Sequence, residues 1–97
     1  METLNKPQLI PLDMGKSFKT LQVKGLAGMV MPPHHSTKEA IIVVQQGKAL
    51  LQMPKSDHVL NEGSTFIIPA GVDHKLDILE NFKAIAIMAV DSELNFK

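Results

Sequence analysis

The segment Gly63-Ser-Thr-Phe-Ile-Ile-Pro69-Ala-Gly71-Val-Asp-His74 constrains the fold more than any other stretch of the chain. An apolar run of strand character meets a Pro-x-Gly turn, and a histidine then opens a second strand. Proline presets φ near about −65°, and glycine at position 71 accepts the positive φ of a type II turn. Past the turn, His74, Leu76 and Ile78 alternate with Lys75, Asp77 and Leu79. That alternation is mostly period two, which puts His74 on the apolar side of its strand. A histidine so placed is either a paired core group or a ligand.

The remaining chain reads the same way. Candidate strands cover 8–12, 18–23, 26–31, 40–46, 48–53, 58–60, 65–68, 74–79 and 84–90. Turn signals separate them at Gly15, Lys24-Gly25, Pro32-Pro33, Gly47, 54–57, Asn61-Glu62-Gly63, Pro69-Ala70-Gly71 and Glu80-Asn81. Residues 93–97 read as a short tail or a final strand. No segment carries a long helical stripe. Short strands at this spacing predict an all-β sandwich or barrel, and 97 residues predict one domain, 1–97.

Charge narrows the partners. Ten basic and ten acidic residues cancel, and the lysines are scattered rather than clustered. Nucleic acid and anionic membrane surfaces both call for concentrated positive charge, so neither is expected as a partner. The absence of cysteine excludes disulfides, thiol chemistry and Cys-containing zinc sites. No apolar run approaches the roughly 20 residues of a membrane span. The stretch from Met1 to Lys6 is polar and lacks the apolar core of a signal peptide, so the expected location is cytoplasmic. Trp and Tyr are absent, and six methionines supply adaptable apolar volume. Of Met29, Met31, Met53 and Met88, at least two are read as core.

Two segments are apolar on both faces: Ile41-Ile42-Val43-Val44, and the run from Ala84 to Val90. A strand buried on both sides needs a second layer. In a chain this short, without helices, that layer is expected to be a second copy, giving a homodimer. The alternative is a terminal strand, such as 8–12, folded over the face within one chain.

Two motifs resemble those of the cupin family. Gly63, Pro69, Gly71 and His74 match Gly-x5-Pro-x-Gly-x2-His-x3-Asn at full spacing, with Ile78 in place of the closing Asn. Gly28, His34 and Gly47 match the opening and closing of Gly-x5-His-x-His-x3,4-Glu-x6-Gly. The middle of that motif is degraded. Ser36 occupies the second histidine position, and Ala40 or Ile41 the glutamate position. The resemblance implies a double-stranded β-helix, or jelly-roll, barrel. It also implies a divalent metal (Fe, Mn, Ni, Cu or Zn) held by imidazoles and a carboxylate.

Carried over position by position, His34 and His74 remain as candidate ligands. His35 and Glu39 each stand one residue early and are the nearby candidates to complete a metal set. Alternation along a strand turns both outward if His34 and Ala40 face in, unless a bulge near Pro32-Pro33 changes the facing. Without metal, His34, Ser36 and His74 form the polar end of a mostly apolar ligand cavity, or are simply hydrogen-bonded core groups with Ser36 as a partner. His58 reads as a surface residue. Three functions follow: a small-molecule-binding module, a metal-dependent oxygenase or isomerase acting on a small metabolite, or an interaction protein working through its dimer face. The binding module is the reading adopted, with catalysis left open.

Overall fold

Two long antiparallel strands carry the architecture of the computed structural model, which describes residues 6–96. They are β4 (Ala40–Gln52) and β7 (His74–Ala89), paired from Ala40 opposite Met88 to Gln52 opposite Lys75. Each bends midway and serves two sheets. The first halves of β4 and second halves of β7 join β1 (Gln8–Met14), β2 (Phe18–Gly25) and β6 (Thr65–Ile68). The other halves join β3 (Val30–Ser36), β5 (Asp57–Asn61) and β8 (Leu94–Phe96). The result is a curled all-β jelly roll, a double-stranded β-helix. No helix occurs among the described residues.

The sequence reading splits β4 and β7 into four strands, with turns at Gly47 and Glu80-Asn81. Both turns are bends within continuous strands. Gly47 takes φ +84°, and a Cβ there would collide with the backbone carbonyl of Asn81. The ladder slips register on both sides of Gly47, so the positive φ produces a bulge instead of a chain reversal. The expected strand 26–31 is also corrected. Residues 26–29 form a turn closed by Met29 N–H donating to Leu26 O at 3.0 Å, and the strand begins at Val30. It then runs through Pro32 and Pro33, which sequence marked as a turn. The prolines fit because they occupy the gap in register between Met31 and His34, where no ladder N–H is needed.

The core lies between the sheets. Leu51, Phe82, Met88 and Ile78 are buried against Ala49, Ala84 and Ala86. Met31 and Met88 are core, and Met29 packs against its edge. The 93–97 segment forms the final strand as far as Phe96, while Lys97 lies outside the described residues. Of the polar N-terminal stretch, only Lys6 is described; Met1 to Asn5 lie outside.

The outer face keeps the apolar rows anticipated from sequence. Ile67, Ile41 and Ile87 stand side by side across β6, β4 and β7, next to Val43 and Ile85. Ile41 and Ile67 are exposed. β1 pairs along the edge of β2 and so extends the sheet.

Candidate functional site

His34 and His74 are register partners on β3 and β7. What brings them together is local. Met31, His34 and Ser36 are all buried, although an odd step separates Met31 from His34. In a regular strand Met31 and His35 would share a face. The irregularity at Pro32-Pro33 shifts the alternation by one residue, so His34 and Ser36 point inward. His74 enters from the Pro69-Ala70-Gly71 turn. Gly71 takes φ +73°, as the turn requires, and its N–H donates to Ser36 O at 2.8 Å. That bond ties the turn to the end of β3.

The rings meet edge to face, with centroids 4.2 Å apart and planes at 62°. Phe96, opposite His34 on β8, stacks on the His34 ring with centroids 4.7 Å apart. His34, Ser36 and His74 supply the polar part of a cavity lined otherwise by apolar groups, among them Leu51, Ile68, Leu76 and Met88, with Phe96 outside its lining. The cavity offers about 50 Å³ to the centre of a water-sized sphere. One water needs roughly 10–15 Å³ by that measure, so the space suits a few waters or a small organic group.

Hydrogen bonding fixes the state of both rings. His34 Nδ1 lies 2.8 Å from Pro32 O, and His74 Nδ1 lies 3.0 Å from Val72 O. A carbonyl oxygen only accepts, so each Nδ1 carries the proton and donates it. Nε2, on the other side of each ring, then bears a lone pair and has no hydrogen-bond partner among the described residues. Burial lowers both pKa values from the ordinary 6.5 and outweighs the upward pull of the backbone carbonyls. The mutual repulsion of the two rings adds to the lowering at His34. Both rings are therefore neutral at neutral pH. The Ser36 hydroxyl donates to Lys38 O at 2.7 Å.

The other two candidates lie elsewhere. His35 faces outward from β3, with Nδ1 3.2 Å from an Asp73 carboxylate oxygen. Glu39 is exposed on the bend between β3 and β4. The shift that turns His34 inward is the one that turns His35 out. Among the described residues no three His, Cys, Asp or Glu side chains converge on a point. Two imidazoles and a serine hydroxyl, with no inward carboxylate, do not fit a resident transition metal, which is held by three or more such ligands. His58 lies at the surface, within 3.0 Å of Ser56 Oγ and tilted against Phe66. Ile78, at the place of the motif's closing Asn, is core.

Sequence reasoning missed Phe96, which flanks His34. The signal is the alternation of Leu94 and Phe96 around Asn95, too short to stand out alone.

A cupin-domain family model matches residues 23–90, most of the chain. The chain belongs to the cupin family. Solved structures agree in fold. A double-stranded β-helix protein from Klebsiella pneumoniae superposes with a TM-score of 0.81 at 15% identity, covering 100% of this chain and 90% of that one. KdgF from Halomonas gives 0.78 at 21% identity, covering 92% and 84%. The DMSP lyase DddQ from Ruegeria pomeroyi gives 0.84 at 19%, covering 95% of this cupin but 52% of the lyase. Identities this low carry the fold alone. Comparison with curated proteins finds no match.

Proposed function

We propose that this cupin binds a small, largely apolar molecule inside its barrel, with His34, Ser36 and His74 forming the polar end of the site. One observation carries the reading: two neutral, mutually packed imidazoles close an otherwise apolar cavity. Small barrels hold single ligands in this way, with few polar groups setting orientation. A sensor or carrier role fits. The metal-dependent oxygenase or isomerase reading needs a third inward ligand, and neither His35 nor Glu39 supplies one.

A fragment screen read by thermal shift tests the proposal. Ligands should raise the melting temperature of the wild-type protein and lose that effect in Ala86→Phe, which fills the cavity from its wall, and in the milder Ala86→Val. If stabilising ligands act equally on the filled variants, the site lies elsewhere and the reading falls.

A second copy of the chain is the macromolecular partner we propose. The outward rows of Ile41, Ile67 and Ile87 with Val43 and Ile85 support it, since their register neighbours Thr20, Gln22 and Thr65 are uncharged. We place the protein in the cytoplasm, a reading supported by its lack of cysteine. No helix among the described residues is long and apolar enough to cross a membrane.

A further inference from the structure

The polar end of the cavity is one-sided in its hydrogen bonding. Nδ1–H of His34 is committed to Pro32 O, and Nδ1–H of His74 to Val72 O. The Ser36 hydroxyl proton is committed to Lys38 O. Each donor therefore points at the backbone. What remains for a ligand is Nε2 of His34, Nε2 of His74 and the lone pairs of Ser36 Oγ, and all of these accept. All three residues line the cavity, and none of its other lining side chains brings an N–H or O–H.

We infer that this cupin selects a neutral small molecule bearing a hydrogen-bond donor, an alcohol, phenol or amide N–H, and discriminates against carboxylates. The inference rests on the proposed reading of the cavity as a ligand site and adds the chemical class of the ligand. A carboxylate brings only acceptors, and three acceptors facing it leave its charge unpaired in an apolar enclosure. An ammonium group has donors, but no lining residue carries a negative charge to offset its burial. A neutral hydroxyl meets the acceptors without a buried charge. A hydrocarbon of equal shape fills the space and leaves both Nε2 atoms without a donor.

Phenol, toluene, benzoate and benzylammonium distinguish these cases, titrated at about pH 7.5, where a phenolic hydroxyl is neutral. Phenol and toluene match in size and differ in the donor. Phenol should bind about tenfold more tightly than toluene, the worth of one such hydrogen bond, and more tightly than benzoate or benzylammonium. In a long-range 1H–15N spectrum of the free protein, both rings should carry the proton on Nδ1, and phenol should move the two Nε2 resonances. His74→Phe keeps a ring in place and removes one acceptor, so the preference for phenol over toluene should shrink.

Equal binding of phenol and toluene, tighter binding of benzoate or benzylammonium, or a protonated Nε2 in either free ring overturns the inference and leaves the cavity reading intact. Failure of all four probes to bind overturns both. The wild-type titrations and spectrum decide the matter even if His74→Phe does not fold.

Discussion

His34 and His74 face each other across the β3–β7 ladder with ring centroids 4.2 Å apart, and each gives its Nδ1 proton to the carbonyl two residues before it. Protonating either ring would bury a charge in a largely apolar enclosure, and protonating both would also set two like charges in contact. The opposed carbonyls fix the tautomer, and burial fixes the charge.

Acid should therefore destabilise the fold through these two residues. Their pKa values are lowered in the native state, so the unfolded chain binds more protons once pH falls below the ordinary 6.5. Stability is fully present above that value and declines as pH drops from it toward the native pKa values. Urea denaturation midpoints measured across this range should fall with pH, and the His34→Phe/His74→Phe protein should show a shallower decline. A midpoint that rises on acidification over the same window contradicts the assignment.

Metal chelation should leave the native protein unchanged. EDTA is expected to cause no shift in melting temperature, and His35→Ala or Glu39→Ala no change in metal content. The missing ligands can be restored. Ser36 and Ala40 are buried and line the same cavity as the histidine pair. Ser36→His with Ala40→Glu should convert a non-binding protein into one with near-stoichiometric zinc or nickel by elemental analysis. Stoichiometric metal in the wild type would sink this prediction.

Gly47 should be the least replaceable glycine. Ala there meets both a positive φ and the Asn81 backbone, which cannot swing away as a side chain can. Gly47→Ala should cost about 1–3 kcal/mol in chemical denaturation. Gly71→Ala has the positive φ but open space around the new methyl, and should cost about 1 kcal/mol. A reversed order would show that the bend relaxes more easily than its packing implies.

Sedimentation at micromolar concentration should give a dimer, and Ile41→Glu with Ile87→Glu should give a folded monomer. A wild-type monomer at that concentration removes the proposed self-association.

What could be read from sequence was what local chemistry decides. β6 and the turn to His74 were legible because proline and glycine set their own dihedrals and the flanking residues alternate cleanly. The inward position of His34 was legible only through the motif match and not through alternation, since it depends on a ladder irregularity at Pro32-Pro33. Alternation counted from Met31 would turn His35 inward instead. Gly47 was legible as a special backbone position but not as a bend, because the distinction depends on Asn81, distant in sequence. Phe96 was illegible for a related reason. A three-residue strand has too few positions to display a pattern, and its pairing with His34 is set by the tertiary fold.

The stacking of Phe96 on His34 joins the three-residue strand β8 to the histidine pair. Fraying of so short a strand would bare one face of the His34 ring, so local opening of β8 and hydration of that ring are coupled.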